Sequence, residues 1–161
     1  MKSQMNRKPN RIHMPNNVSL HRVLKASPEK VYRAFTDPTA LSAWLPPYGF
    51  LCVVHQFELS VGGSYKMSFT NFSTGNGHSF GGKYLEIEPN KFLKYTDKFD
   101  DPNLPGEMIT SVWLKQVLVG TELKVVQEGI PEVIPAEMCY LGWQESLDKL
   151  TKLVEPEIPD A

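Results

Sequence analysis

Two residues in the middle of the chain, Cys52 and His55, are of types that bind metals or act as nucleophile and base. They lie three positions apart in a stretch that alternates like a β-strand, and residues three apart on a strand point to opposite faces. The spacing therefore argues against a shared metal or nucleophilic site. His55 stays of interest because the alternation places it beside Val53 and Phe57. There it is either a hydrogen-bonded core histidine or a polar contact inside a cavity.

Other residues capable of chemistry give weaker signals. Glu86 and Glu88 share one face of a predicted strand, and Ile87 on the opposite face favours a solvated position for both carboxylates. His78 follows a glycine-rich turn and is interpreted as a solvated residue. The sequence contains no P-loop, nucleophile elbow or dinucleotide-binding fingerprint. We therefore predict no catalytic residues, no metal site and no cofactor.

Composition and charge narrow the functional classes. The 161 residues are enough for one domain, and a net charge of -1 gives no overall field that attracts nucleic acid or an anionic membrane. A basic, proline-containing segment at residues 1–17 is predicted to be a flexible arm. No apolar stretch follows the first residues, so we expect no secretory signal, and no run is long enough for a membrane span. With two cysteines and no disulfide framework, we expect a cytoplasmic protein.

The order of elements is predicted from periodicity and from helix start signals. Val18–Leu24 alternates like a strand, and Ser27 followed by Pro28 is typical of a helix start. Asp37-Pro38 ends that helix, and a second short helix covers Thr39–Leu45. Six further strands are predicted at Leu51–Leu59, Ser64–Phe72, His78–Glu88, Lys91–Lys98, Glu107–Val117 and Thr121–Glu128.

A long amphipathic helix is predicted over Ala136–Val154, before a tail at residues 155–161 that should fray. One apolar stripe runs along this helix, formed by Cys139, Trp143, Leu147, Leu150 and Val154. A single helix has to cover one face of the antiparallel sheet, so the sheet should be strongly curved. The folded domain is predicted to span residues 18–154.

Several short motifs occur in the same order as in a known group of domains. They are Ser27 to Pro38, Leu41 to Trp44, Gly49-Phe50, Gly62-Gly63, Gly82 to Ile87 with Pro89, Gly120 to Leu123, and Gly142-Trp143 with Leu147 and Leu150. Together they resemble the START-like (SRPBCC) helix-grip superfamily, and most closely the family of the C-terminal domain of the activator of the Hsp90 ATPase. The resemblance covers nearly the whole predicted domain.

This resemblance implies an α+β helix-grip fold, in which a curved antiparallel sheet wraps around a long C-terminal helix and two short helices follow the first strand. It also implies an apolar cavity under the helix, whereas the residues alone favour a close-packed core. The cavity residues expected on this basis are Trp44, His55, Phe57, Tyr65, Met67, Phe69, Phe80, Tyr95, Met108, Trp143 and Leu147.

Three functions stay open at this point. The first is a non-catalytic domain that holds a hydrophobic small molecule or lipid-like ligand. The second is a chaperone-interaction module that uses an exposed surface, such as the Asp100–Gly106 loop. The third is a small cyclase- or hydrolase-type enzyme, which would need His55 or Glu137 as its acid or base. We expect a monomer or a homodimer.

Overall fold

The structure, a computed structural model, describes residues 16–160. Seven antiparallel strands form one sheet, and three helices pack on it. In chain order the elements are β1 (Val18–Leu24), α1 (Pro28–Thr36), α2 (Pro38–Trp44), β2 (Phe50–Phe57), β3 (Ser64–Asn71), β4 (Gly77–Glu88), β5 (Phe92–Phe99), β6 (Met108–Val117), β7 (Gly120–Glu128) and α3 (Ala136–Val154).

The strand order β1-β7-β6-β5-β4-β3-β2 places the first two strands of the chain at opposite edges of the sheet. The segment α1–α2 therefore crosses from one edge to the other, and the chain returns as a meander of hairpins. Register shifts in β2 and β4 interrupt the regular pairing, and such bulges increase the local bend and twist of a sheet. The predicted helix-grip architecture is confirmed, including the bounds of the long C-terminal helix.

The two short helices are fixed by their caps and by one tryptophan. The Ser27 hydroxyl accepts a hydrogen bond from the Lys30 amide at 3.2 Å. The Asp37 carboxylate accepts from the amides of the next helix, so the residue that ends α1 also begins α2. Trp44 is fully buried, and its indole N–H donates to the Ala34 carbonyl at 2.8 Å. Its ring therefore joins α1 to α2, whereas the sequence suggested a cavity wall.

The inward face of β2 differs from the prediction. Leu51 and Val53 are 57% and 55% exposed, whereas Cys52 and Val54 pack against the core. A register shift between Val54 and Gln56 then returns Phe57 to the core side. Both faces of this strand carry apolar residues, and a bulge reverses the alternation, so a simple period-2 pattern selected the wrong face.

The sequence did not determine which residues of β6 point inward, and their burial in the structure does. Met108, Val112 and Leu114 are buried in the core. Trp113 is 42% exposed and packs against the Phe92 ring with a centroid separation of 5.4 Å. The even-numbered residues from Met108 to Leu114 therefore point into the core.

The apolar stripe of α3 has two parts. Leu147, Leu150 and Val154 are completely enclosed, whereas Cys139 and Trp143 are only half-buried. Within residues 16–160, the backbone of α3 comes within 8 Å of β1, α1 and α2, but not of β2–β7. The C-terminal half of the helix thus belongs to the core, and the N-terminal half stands away from the middle of the sheet.

The ends of the chain bear on two earlier predictions. The flexible arm predicted at residues 1–17 lies mostly outside the described residues, but Asn16 and Asn17 accept hydrogen bonds from the amides of Ile130 and Gly129. After α3, the Glu155 carboxylate accepts from the Lys25 amide at 2.9 Å. No helix in the described part of the chain is both long and apolar enough to cross a membrane.

The role of Trp44 gives a first testable prediction. In Trp44→Phe the Ala34 carbonyl loses its buried donor, so the free energy of unfolding should fall by about 1–3 kcal/mol. Urea denaturation followed by circular dichroism measures this difference. Trp113→Phe is the matched control. Because Trp113 is partly exposed, this substitution should lower the free energy of unfolding by less. Equal losses in the two variants would contradict the proposed link between α1 and α2.

Candidate functional site

A hollow lies between the sheet and the N-terminal half of α3. Its inner lobe has a volume of about 170 Å³. The side chains that line this lobe are Phe35, Leu41, Leu45, Tyr65, Met67, Phe69, Phe80, Tyr84, Tyr95, Asp97, Gln127, Cys139, Trp143 and Ser146, together with the backbone of Gly142.

An outer lobe of about 310 Å³ continues the hollow toward the start of α3. It is lined by Pro47, Phe50, Phe69, His78, Phe80, Asp97, Phe99, Met108, Gln127, Ile134, Met138 and Cys139. Five residues (Phe69, Phe80, Asp97, Gln127 and Cys139) line both lobes, so the two volumes are parts of one site.

Aromatic rings from β3, β4 and β5 form the floor of the inner lobe. Tyr65, Tyr84 and Tyr95 make a triangle with ring centroids 5.8–5.9 Å apart. Phe69 meets Phe80 edge to face at 4.8 Å. These separations are typical of favourable aromatic pairs, which hold one another in fixed orientations. The floor is therefore a rigid apolar surface already shaped without a ligand.

One hydrogen bond joins the helix to the sheet across the hollow. The indole N–H of Trp143 on α3 donates to the side-chain oxygen of Gln127 on β7 at 3.2 Å. The amide nitrogen of Gln127 in turn lies 3.4 Å from the Thr110 hydroxyl. This chain of contacts fixes the orientation of the Trp143 ring over the inner lobe.

The roof of the site is held by the loop between α2 and β2. The Ser146 hydroxyl donates to the Leu45 carbonyl at 2.6 Å, and the Lys149 ammonium donates to the Pro46 carbonyl at 2.8 Å. The Tyr48 amide donates to the Glu145 carboxylate at 3.1 Å. Three positions of the loop are thereby attached to one stretch of α3.

Asp97 is the acidic residue in the wall shared by the two lobes. Burial raises the pKa of its carboxyl group to about 7, although the Tyr65 hydroxyl and the Lys98 amide counteract the shift. One carboxyl oxygen, Oδ1, is shut off from solvent and has no hydrogen-bond partner within residues 16–160. Such an unsatisfied acceptor is uncommon, and here it belongs to a side chain that lines both lobes.

The other ionisable groups at the site are held in their neutral forms. Burial raises the pKa of the Cys139 thiol and of Tyr65, Tyr84 and Tyr95. Burial also lowers the pKa of His78. Among residues 16–160, no lysine or arginine lines either lobe, so ionised Asp97 brings to the hollow a negative charge that the lining does not compensate.

Six of the residues predicted for the cavity line the inner lobe: Tyr65, Met67, Phe69, Phe80, Tyr95 and Trp143. Met108 lines the outer lobe. Three others do not face the hollow. Leu147 is packed in the core, Trp44 lies between the short helices, and Phe57 packs edge-on against Tyr84 at 6.0 Å.

His55 lies outside the site, and its predicted position on an inward face is wrong. The side chain is exposed and its Nε2 atom is 2.6 Å from the Ser68 hydroxyl. His55 continues the outward face of Leu51 and Val53, and the bulge after Val54 then turns only Phe57 back to the core. Glu137, the other acid or base considered, is also exposed, in the first turn of α3. No cluster of three metal-ligating side chains occurs among residues 16–160.

Two polar residues in the wall shared by the lobes, Asp97 and Gln127, were not predicted from the sequence. Asp97 follows Tyr95 by two positions, and Gln127 follows Val125 by two, so strand alternation places both on inward faces. A polar residue at an inward position of an apolar strand was the available signal. His78 is exposed, as the sequence indicated, and one side of its ring lies near Phe69, Phe80 and Phe99 at the outer lobe.

Comparison with protein families gives a match over most of the chain. The family model for "Activator of Hsp90 ATPase homolog 1-like protein" matches residues 25–155. Comparison with curated protein sequences gave no match.

Solved structures give further similarity. A Chromobacterium violaceum protein is 56% identical, with a TM-score of 0.87, covering 88% of this chain and 99% of its own. A Rhodobacter sphaeroides protein is 25% identical, with a TM-score of 0.76 and coverage of 86% and 91%. An AHSA1-like protein from Aeromonas hydrophila shares the fold. It is 20% identical, with a TM-score of 0.69 and coverage of 84% of this chain and 90% of its own. This fold supports a binding domain in general.

The raised pKa of Asp97 predicts a pH dependence of stability. An unfolded aspartate loses its proton near its ordinary pKa, whereas the folded protein keeps it until about pH 7. The folded state therefore binds more protons between about pH 4 and pH 7, and the contribution of Asp97 to stability falls as pH rises through this window. Asp97→Asn should remove that slope and be more stable than the wild type at pH 8.

Urea unfolding of the two proteins at pH 5 and pH 8 tests this prediction. All other titrating groups are common to both proteins, so the difference between their slopes isolates Asp97. Parallel pH profiles for wild type and variant would show that the carboxyl group titrates as it does in water.

Proposed function

This chain belongs to the family of Activator of Hsp90 ATPase homolog 1-like proteins, and we propose that it is a non-catalytic binding domain for a hydrophobic small molecule or lipid-like ligand. The ligand would occupy the hollow between the sheet and α3. Function in this proposal is sequestration or presentation of the ligand, without a covalent step.

The observation that carries the proposal is the gap under the N-terminal half of α3. Cys139, Gly142, Trp143 and Ser146 have the i, i+3, i+4, i+7 spacing of one helical face, and all four line the inner lobe. In the C-terminal half of α3 the equivalent face is closely packed against the core. The same helix thus provides packing at one end and a cavity roof at the other.

The size and chemistry of the hollow suit a mainly apolar ligand. A dry cavity of about 150 Å³ lined by apolar side chains accommodates a single aromatic ring, and the inner lobe is of this size. The outer lobe is within the usual range for small-molecule pockets. A ring in the inner lobe with a chain or second ring in the outer lobe would use both volumes.

A chaperone-interaction module is the second candidate function, and the family description favours it. Leu51 and Val53 support it as well, because they are more than half exposed side by side on the edge strand β2. Exposed apolar residues on one face can form part of a docking surface. The Asp100–Gly106 loop is a weaker choice, since it has no large exposed hydrophobic residue. In this candidate the partner would contact the outer face of β2 and leave the hollow empty.

Gly142 provides a direct test of the ligand site. A Cβ added there would meet no other atom within 4 Å, so larger side chains can enter the hollow without displacing the core. We expect Gly142→Leu to weaken the binding of propylbenzene by about tenfold or more. Gly142→Ala should bind nearly as the wild type does, and its helix should be more stable by about 0.5–1 kcal/mol.

Chemical-shift changes in two-dimensional NMR spectra during propylbenzene titration measure this binding and also show that each variant is folded. Leu51→Ser with Val53→Ser is the control for the second candidate, and these exposed substitutions should leave propylbenzene binding unchanged. A folded Gly142→Leu variant that binds as well as the wild type would overturn the cavity proposal. Failure of the wild type to bind would do the same.

A further inference from the structure

Asp97 stands where the two lobes meet, and the packing of the protein does not satisfy it. Its Oδ1 atom is enclosed and lacks a hydrogen-bond donor among the described residues. A carboxyl group turns readily about its terminal bond, so either oxygen can be presented to the hollow. Oδ1 stays unpaired although the Tyr65 hydroxyl and the Lys98 amide lie close to the carboxyl group. The Tyr65 hydroxyl donates to the Thr96 carbonyl at 2.8 Å, and the Gln127 amide nitrogen contacts Thr110.

The described side chains that line the hollow around Asp97 include no positively charged group. The titratable side chains that line the two lobes are Asp97, His78, Cys139 and the three tyrosines of the floor, and none of them supplies a positive charge at neutral pH. Lys149, on the helix that covers the site, donates instead to the Pro46 carbonyl in the roof. Residues 16–160 therefore place no cation in the lining of the hollow to pair with Asp97.

We propose that the ligand is an organic amine: an apolar body seated on the aromatic floor, with a protonated amino group paired with Asp97. This inference rests on the proposed function of the hollow as a ligand site and specifies the chemistry of the ligand. An ammonium group supplies the donor that Oδ1 lacks and the positive charge that the wall lacks.

Two further features favour an amine over a neutral donor. Tyr65, Tyr95 and Trp143 present aromatic rings within the same lobe as Asp97, and the faces of such rings attract ammonium groups, most strongly where water is excluded. A buried carboxylate without a counter-ion is also energetically unfavourable, so a bound cation would stabilise the ionised form of Asp97. A neutral hydroxyl group would satisfy the acceptor but leave the charge uncompensated.

Three probes of matched shape test the proposal: 2-phenylethylamine, 2-phenylethanol and propylbenzene. Each has one ring, which suits the inner lobe, and they differ only in the terminal group. At pH 8, where Asp97 is ionised, the amine should bind the wild type at least about tenfold more tightly than propylbenzene. At pH 5.5 the carboxyl group holds its proton while the amine stays charged, so this preference should shrink.

Asp97→Asn is the matched variant, because it keeps the shape of the side chain and removes the charge. It should lose the preference for the amine at both pH values and bind propylbenzene within about twofold of the wild type. Titrations followed by two-dimensional NMR locate each probe as well as measure its affinity.

Each other outcome has a distinct meaning. Tighter binding of the alcohol than of the amine would overturn the amine proposal in favour of a neutral ligand. If Asp97→Asn still prefers the amine, Asp97 is not the group that pairs with the amine. Equal binding of all three probes would refute the pairing and leave the apolar binding function intact, whereas failure of all three to bind the wild type would refute that function itself.

Discussion

The hydrogen bond between Trp143 and Gln127 determines how the rest of the site is arranged, because it is the connection between α3 and the sheet that crosses the hollow. Without direct backbone contact to the middle strands, this half of the helix is positioned by a large side chain that reaches down to a polar partner. An indole ring is long enough to span the distance, and its N–H needs a partner once buried. The helix is therefore held at a distance from the sheet, which leaves the space that the aromatic floor surrounds.

This arrangement is compatible with a stable fold because core and site occupy different places. The core is built by β1, β7, α1 and the C-terminal half of α3, where residues such as Leu123, Val125 and Leu150 are wholly enclosed. The hollow lies on the side of β3–β5, where Asp97 is accommodated although a buried carboxylate is normally unfavourable. Local departures from ideal packing of this kind concentrate at functional sites and are tolerated when the remaining structure is well packed.

Sequence reasoning reached the architecture, the family and much of the aromatic floor. Start signals such as Ser27-Pro28, the alternation of Tyr65, Met67 and Phe69, and the stripe of α3 are local patterns that tertiary packing does not override. It failed on β2, because a bulge is set by pairing with β3 and has no marker in the sequence of one strand. It also failed to separate Trp44, which fills a core position, from Trp143, which lines a cavity. Both are aromatic residues on inward faces, and only the distance between elements distinguishes them.

The two-part construction of α3 has a consequence for how proteins of this kind can diverge. Positions 139, 142, 143 and 146 line the hollow, whereas positions 147, 150 and 154 are enclosed in the core. Trp143 and Ser146 also hold the helix and its roof in place, so within the described part of the chain Cys139 and Gly142 are the positions in the first group without a side-chain hydrogen bond to preserve. If the hollow binds a ligand as proposed, these two positions could vary between related proteins and change its shape, while the packed end of the same helix preserves the scaffold.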